Sequence, residues 1–163
     1  MPRLYLQTFI QASPGLVFDL SRSIDLHQTS TSHTHERAIA GCTSGLIELG
    51  QTVTWRAKHF GIYQTLTSVI SELQYPHFFV DEQVRGAFAR SHHEHRFLPQ
   101  PNGGTLADEV FDYTSPLGLL GRLADALFLQ RYMTSLLHRR NQVIKHYAET
   151  DLWKQLPGFA HKV

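Results

Sequence analysis

The sequence predicts an α+β fold in which a curved antiparallel sheet of six to seven strands wraps around one long C-terminal helix. Two observations predict it. Residues 51–114 form short runs of strand-forming or alternating apolar and polar side chains separated by turn residues, a pattern typical of antiparallel strands. Residues 117–148 instead place apolar side chains three and four positions apart, as on a long amphipathic helix.

The N-terminal part predicts one strand followed by two short helices. Strand-forming residues dominate residues 4–10. Ser13 can then cap a helix that Pro14 begins, because proline fits the first helical position, where no hydrogen-bond donor is missed. The apolar spacing over residues 15–31 favours two short helices, and a brief strand is expected at residues 36–40.

The middle of the chain predicts a strand meander. From Gln51 the apolar period is two, with Val53, Trp55 and Ala57 on one side of the strand. Further strands are predicted at residues 62–73, 78–84, 92–98 and 105–114. Because short turns join these runs, successive strands are expected to pair with one another.

The closing helix has a predicted start and a predicted buried face. Ser115 is expected to cap it and Pro116 to open it. The buried stripe consists of Leu120, Leu123, Leu127, Leu129, Met133, Leu136, Leu137 and Ile144, and the residues placed off it are Arg122, Asp125, Arg139, Arg140 and Lys145. Core packing is the simpler interpretation of the stripe, and a pocket wall is the alternative.

Composition limits the possible partners. With 42% hydrophobic and 18% charged residues, 163 residues suffice for one domain over positions 1–163. Lys and Arg number 15 against 14 for Asp and Glu, so the net charge of +1 gives no electrostatic reason to expect nucleic acid or an anionic membrane.

Cysteine usage and hydropathy indicate the expected location. The single cysteine, Cys42, excludes an internal disulfide, and the first residues lack an apolar run of the signal-peptide kind. No run approaches the roughly 20 apolar residues that cross a bilayer. We therefore expect a cytoplasmic protein without membrane insertion; a homodimer is compatible with the sequence.

Three stretches resemble the SRPBCC superfamily, which includes START lipid-transfer domains, pollen-allergen-like proteins and polyketide cyclases. They are Ser13-Pro14 with Val17-Phe18-Asp19-Leu20, the region 88–97 with His93-Glu94-His95, and Tyr113-Thr114-Ser115-Pro116-Leu117-Gly118. More narrowly, the chain looks like the small bacterial ligand-binding SRPBCC domain proteins. The resemblance implies a helix-grip fold that holds a hydrophobic or amphipathic ligand between sheet and helix, with cyclisation or dehydration in some members.

Aromatic and apolar residues on predicted inward strand faces are the candidate cavity wall. The predicted lining consists of Trp55, His59, His95, Phe97, Phe111 and Tyr113 from the strands, with Leu120 and Leu127 from the helix. Such a wall offers apolar area with a few polar groups, the usual make-up of a small-molecule site. The alternative is that the same side chains fill the space completely.

Three functions remain open from the sequence. The first is a carrier or sequestering protein for a lipid, quinone or polyketide-like ligand, with no cofactor. The second is a cyclase or dehydratase, in which proton transfer would use His59, His95, Glu109 and Tyr113. The third is a protein-interaction module with a filled core.

The histidines raise the question of a metal. Of the 11 histidines, His93 and His95 would project from the same face of a strand, and His59 could supply a third zinc ligand. The sequence has neither an HExxH motif nor a cysteine pair. Solvent-facing or hydrogen-bonded histidines are the simpler interpretation, so no metal site is predicted.

Overall fold

The computed structural model describes residues 2–116 and 118–159. Its strands are Arg3–Ile10 (β1), Arg37–Gly41 (β2), Thr52–His59 (β3), Ile62–Gln74 (β4), Phe78–Arg85 (β5), Arg90–Pro99 (β6) and Thr105–Thr114 (β7). They form one sheet in the order β1-β7-β6-β5-β4-β3-β2, and every pair is antiparallel. The predicted meander is therefore confirmed, with the first strand added beside the last.

Two short helices follow β1, as predicted, and a long helix closes the chain. The short helices are Pro14–Ser21 (α1) and Ile24–Ser30 (α2), followed by a 3-10 turn at Ser32–Thr34. The segments Leu119–Ala124 (α3), a π-helical turn at Asp125–Leu129, and Gln130–Ala148 (α4) follow one another without interruption, and together they are the long helix. A 3-10 turn at Asp151–Gln155 comes last among the described elements.

The long helix does not begin where the sequence predicts. Gly118 is its N-cap and Leu119 its first residue, so the assignments of Ser115 as cap and Pro116 as first helical residue are wrong. The Ser115 hydroxyl instead donates to Asp125 Oδ1 at 2.6 Å. A hydrogen bond to a buried carboxylate is stronger than a neutral capping bond, which accounts for the difference. The predicted helix residue Leu117 lies outside the described residues.

Alternating side chains give the sheet one buried face. In β1, Leu4, Leu6 and Ile10 are buried while their neighbours are exposed, and β3 repeats the pattern. The pairing of β4 with β5 shifts register between Thr67 and Ser68 and again between Ile70 and Glu72. Such bulges bend a strand and increase its twist, which curves the sheet toward its buried face.

The concave face holds a packed core built by the short helices and the end of the long helix. Phe18 of α1 packs edge-to-face against Phe79 and Phe97, with ring centroids 5.4 and 5.3 Å apart. Leu26 of α2 and Ile144 of α4 belong to the same buried cluster. This end of the concave face is therefore filled.

The predicted buried stripe of the long helix is correct only toward its C-terminus. Leu120, Leu123 and Leu127 are exposed, by 69%, 56% and 64%, whereas Leu137 and Ile144 are buried. Gly121 is the helix residue that packs closely against the preceding segment, because a Cβ there would lie 2.1 Å from the Pro116 carbonyl oxygen. With this small residue turned toward the preceding segment, the leucines around it face outward.

Two charged side chains of the long helix are also placed differently from the prediction. Asp125 and Arg140, expected off the buried stripe, are both buried. Asp125 is hydrogen-bonded to Ser115 and Arg140 to Glu109, and helical periodicity alone does not predict such polar partners. In the part of the chain that the structure describes, no helix combines the length and apolar character needed to cross a membrane.

Candidate functional site

Between the sheet and the long helix lies a cavity of about 410 Å³. Its apolar wall includes Trp55, Ala57, Leu66, Phe111, Leu129, Met133, Leu136 and Leu137. The strand residues among them point inward because side chains alternate along a strand, and the helix residues recur at three- and four-residue steps. This volume lies within the range of small-molecule sites, about 300–1,000 Å³.

An apolar rim surrounds part of the cavity. Phe60, in the turn between β3 and β4, lies 5.3 Å from the ring of Phe128 and 4.6 Å from that of Tyr132. Phe60, Leu120 and Phe128 line the cavity and are also solvent-exposed. The cavity therefore reaches the surface at an apolar rim, where a ligand could enter.

One polar group of the wall joins β3, the segment before β2, and the long helix. His59 Nδ1 and the Tyr132 hydroxyl share a hydrogen bond of 2.8 Å, and His27 Nε2 lies 3.5 Å from Glu36 Oε1. Burial lowers the pKa of His59, although Glu36 opposes the shift. Burial raises the pKa of Glu36, but His27, Thr31 and His59 together more than offset it, so the net pKa is lowered. Glu36 is thus ionised and His59 neutral at pH 7.

A second polar group, here called the polar cluster, consists of Asp81, His93, His95, Glu109 and Arg140. Strand register brings the first four together, because Asp81 pairs with His93 across β5 and β6, and His95 pairs with Glu109 across β6 and β7. His93 and His95 lie two residues apart on β6 and share its inward face. Arg140 reaches the group from the long helix, and its Nη1 donates to Glu109 Oε1 at 3.2 Å.

The charges of the polar cluster follow from its contacts. Burial opposes ionisation of Glu109, but the imidazoles of His93 and His95 beside it hold its pKa well below the usual range. Burial likewise opposes ionisation of Asp81, but the hydrogen bond with His95 and the nearby charges of His93, His95 and Arg140 together lower its pKa. Burial also opposes protonation of His95, but Asp81 and Glu109 on either side raise its pKa. Burial and the neighbouring His95 lower the pKa of His93.

The polar cluster combines opposite charges and is incompletely hydrogen-bonded. Its two carboxylates face the Arg140 guanidinium and His95, whose pKa they raise, while the lowered pKa of His93 favours its neutral form. Three of its buried atoms, His93 Nε2, His95 Nδ1 and Glu109 Oε2, have no hydrogen-bond partner among the described residues. Unsatisfied buried polar atoms are uncommon in folded proteins, and each calls for an explanation.

Comparison with known proteins identifies the fold. No protein-family profile and no curated protein sequence matches the chain. Solved structures do match. A protein of Thermus thermophilus is 18% identical, with a TM-score of 0.69, over 90% of this chain and 99% of that one. A START superfamily protein from Mycobacterium smegmatis is 10% identical, with a TM-score of 0.68, over 90% and 97%. Ginseng major latex-like protein 151 from Panax ginseng is 13% identical, with a TM-score of 0.67, over 91% and 98%.

The chain has an SRPBCC-like helix-grip fold. The resemblance noted in the sequence is thus confirmed at the level of fold, which is as far as identities below one fifth extend. In this helix-grip fold the cavity lies on the concave side of the sheet, beside the long helix.

The predicted cavity residues occupy three kinds of position in the helix-grip fold. Trp55, His59, Phe111 and Leu120 line the cavity. His95, Phe97 and Tyr113 are buried outside the lining, and Leu127 is exposed. Glu109, named with His59, His95 and Tyr113 for proton transfer, is buried behind the wall as well. Burial raises the pKa of the Tyr113 hydroxyl, so it is neutral.

Sequence reasoning missed several polar residues of the cavity wall. Asp81, Arg140 and His93 line the cavity, and none of them was assigned to it. Asp81 also takes the place suggested for His59 beside His93 and His95, since a ligand atom of each of these three lies within 4.8 Å of the others. The sequence did contain a signal for Asp81. It lies two residues after Phe79, which is buried, so the two side chains share one face of the strand.

Proposed function

We propose that this protein binds a small hydrophobic or amphipathic ligand in the cavity and acts as its carrier or sequestering protein. The observation that carries the proposal is the cavity itself, about 410 Å³ of space beside an otherwise packed core. An unfilled volume of this size favours ligand binding over the third function, a protein-interaction module with a filled core. The START-like fold supports the same class of ligand by analogy.

Apolar burial supplies the driving force in this proposal. A ligand that buries about 200 Å² of apolar surface gains about 5 kcal/mol at 25 cal/mol per Å², before the costs of association. Trp55, Phe111 and Leu137 contribute wall area from two strands and the long helix. Affinity would therefore depend mainly on the apolar part of the ligand.

The polar side chains of the wall would select the polar part of the ligand. His59 and His93 are both neutral and line the cavity, so each offers a donor or an acceptor without an added charge. A hydroxyl or carbonyl group is suited to such partners. Lipids, quinones and polyketide-like molecules each combine an extended apolar part with groups of this kind.

A second candidate function, a cyclase or dehydratase, is favoured by one observation. His93 lines the cavity, burial and the neighbouring His95 lower its pKa and so favour the neutral imidazole, and its Nε2 has no hydrogen-bond partner among the described residues. A neutral imidazole facing a carbonyl substrate is suited to accept a proton. Because His95, Glu109 and Tyr113 lie outside the lining, proton transfer to a ligand would begin at His93 or His59.

The test of the carrier proposal is whether filling the cavity removes binding. Nile red, a neutral apolar dye, is titrated into the protein and followed by fluorescence. Ala124 lines the cavity, and Ala126, two residues along the same helix, is exposed outside the lining. We expect Ala124→Phe to weaken dye binding at least tenfold and the matched control Ala126→Phe to leave it unchanged.

Native mass spectrometry of the protein purified from its own host then identifies the ligand. A defined co-purifying lipid, quinone or polyketide-like mass supports the proposal. Failure of the wild-type protein to bind dye, together with a bare polypeptide mass, would contradict it. Conversion of the extracted compound to a new mass by the wild-type protein, lost in His93→Gln, would identify the enzyme instead.

A further inference from the structure

The two imidazoles of the polar cluster are bracketed by two carboxylates. On the cavity side, Asp81 Oδ2 lies 3.7 Å from His93 Nδ1 and 2.9 Å from His95 Nε2. On the buried side, Glu109 Oε2 lies 3.3 Å from His93 Nε2, and its Oε1 lies 3.4 Å from His95 Nδ1. Each ring therefore directs one nitrogen to each carboxylate.

We propose that Asp81, His93 and His95 bind a divalent transition-metal ion at the wall of the cavity, with Glu109 holding both imidazoles in place. The inference deepens the proposed function, because Asp81 and His93 line the ligand cavity. The bound ion would coordinate an oxygen atom of the cavity ligand at the polar end of the cavity.

The spacing of the ligand atoms fits such an ion. One donor atom of each of Asp81, His93 and His95 lies within 4.8 Å of the others. Bonds of about 2.0–2.1 Å at tetrahedral angles put neighbouring donors about 3.3 Å apart. The two distances from Asp81 Oδ2, 2.9 and 3.7 Å, bracket that value. Two imidazoles and one carboxylate are a donor set suited to zinc and to non-haem iron.

Glu109 provides the outer support that metal-binding histidines usually have. A ligating imidazole generally donates its other N–H to a carboxylate, which fixes the tautomer and the ring orientation. Three buried atoms between the imidazoles and Glu109 have no hydrogen-bond partner among the described residues. They are His93 Nε2, His95 Nδ1 and Glu109 Oε2. With both rings donating to Glu109, these three atoms find partners. Metal binding then releases to solvent any proton held between Asp81 and Nε2 of His95, so that this nitrogen and Nδ1 of His93 can coordinate.

Charge and access are compatible with binding. An ion of charge +2 with Arg140 at +1, set against Asp81 and Glu109 at −1 each, leaves +1, which suits an oxygen anion or water as a further ligand. Arg140 is itself paired with Glu109, so its charge is shielded from the ion. Three protein ligands leave at least one coordination position, and the cavity lies on the Asp81 and His93 side. A carbonyl, enolate or carboxylate oxygen of the cavity ligand would occupy it.

The test uses the metal alone on the full chain. Protein stripped with EDTA is titrated with Zn²⁺ by calorimetry, and with Co²⁺ by visible absorption, which reports coordination geometry. We expect one ion per chain, with affinity lowered at least about 100-fold in both His93→Gln and Asp81→Asn. The matched control is His92→Gln, because His92 is the adjacent residue on the other face of β6. It should bind as the wild type does.

A separate variant tests the role of Glu109. Glu109→Gln is expected to weaken Zn²⁺ binding by about 10–100-fold and to change the Co²⁺ spectrum, since a carboxylate that orients ligands acts on geometry as well as affinity. Far-UV circular dichroism of each variant excludes unfolding as the cause. Asp81→Asn, at a half-buried position on β5, keeps the test available if a buried variant fails to fold.

Three results would overturn the metal site: no ion bound by the wild type at micromolar affinity, wild-type affinity in both Asp81→Asn and His93→Gln, or loss of binding in His92→Gln. Nile red binding by the metal-free protein is measured in parallel. If the dye binds and zinc does not, the metal inference fails and the carrier proposal stands. If zinc binds and the dye does not, the reverse holds.

Discussion

The two ends of the long helix carry similar apolar spacing and have opposite surroundings. At the inner end, Leu137, Ile144 and Ala148 are buried, and α4 contacts β1, α1 and α2. At the outer end, Leu119, Leu123 and Leu127 follow one another at four-residue steps and are all exposed. A single helix thus forms the core at one end and borders the cavity at the other.

The difference shows that apolar periodicity identifies an apolar face of a helix but does not show whether another element packs against that face. Ile144 is buried because α1, α2 and β1 surround the inner end. At the outer end, Gly121 and Asp125 contact Pro116 and Ser115, which precede the helix, and Leu119, Leu123 and Leu127 are exposed. Contiguous exposed apolar patches often mark interaction or ligand-binding sites.

Removing the buried cation of the inner end should have the largest effect. Arg140→Ala leaves Glu109 buried without its guanidinium partner and removes the donor to the Ser21 carbonyl oxygen, 2.7 Å away. We expect a loss of about 3–5 kcal/mol in the free energy of unfolding, measured by urea denaturation. Arg139→Ala, at the adjacent exposed position, should change it by less than about 0.5 kcal/mol. Equal effects at the two positions would mean that Arg140 is not buried.

Truncating an apolar side chain at each end compares the two directly. Ile144→Ala should lose about 2–4 kcal/mol, because it leaves a cavity in a packed core, whereas Leu127→Ala should lose less than about 0.5 kcal/mol. Urea denaturation of both variants under the same conditions checks this. A large loss in Leu127→Ala would show that the outer leucines are packed in solution.

The close approach at Gly121 gives a prediction about sign. Glycine to alanine within a helix usually stabilises by up to about 1 kcal/mol. Here the added Cβ would lie 2.1 Å from the Pro116 carbonyl oxygen, so we expect Gly121→Ala to destabilise by about 1–3 kcal/mol. Thermal unfolding followed by circular dichroism measures the change. A raised melting temperature would mean that Gly121 is not packed closely against Pro116 in solution.

The smallest expected effect is a pH dependence at the rim. Burial holds the pKa of His59 below its ordinary 6.5, so below about pH 6.5 the unfolded chain binds this proton more readily and stability falls. Its neighbours are Tyr132, Glu36, which opposes the shift, and His33, whose own pKa burial lowers. His59→Gln should flatten the stability profile between pH 7 and 5 relative to the control His138→Gln, an exposed position. Parallel profiles in the two variants would exclude His59.

Local patterns predicted the elements well. The strand expected at residues 105–114 is observed at those bounds, and the one expected at 62–73 extends a single residue further. Alternation and turn residues act within a few positions, so they can be recognised along the chain. The burial of Asp125 and Arg140 could not be, because their partners lie 10 and 31 residues away and depend on how the helix is placed.

The site was predictable in part for the same reason. That His93 and His95 share a strand face follows from their spacing alone. That Asp81 joins them depends on the register between β5 and β6, where it lies opposite His93. That register depends on the connection between the two strands, which the sequence pattern left undetermined. Whether an inward-facing residue meets empty space or a packed neighbour depends on the assembled fold, so Phe97 and Phe111 looked alike.

The cavity between sheet and helix also makes the protein sensitive to hydrostatic pressure. Unfolding eliminates internal volume that water does not fill, so compression favours the unfolded chain in proportion to that void. A bound ligand occupies the same space and removes part of the volume change. Unfolding pressure, recorded with and without a ligand, thus measures how much of the 410 Å³ is dry in the free protein.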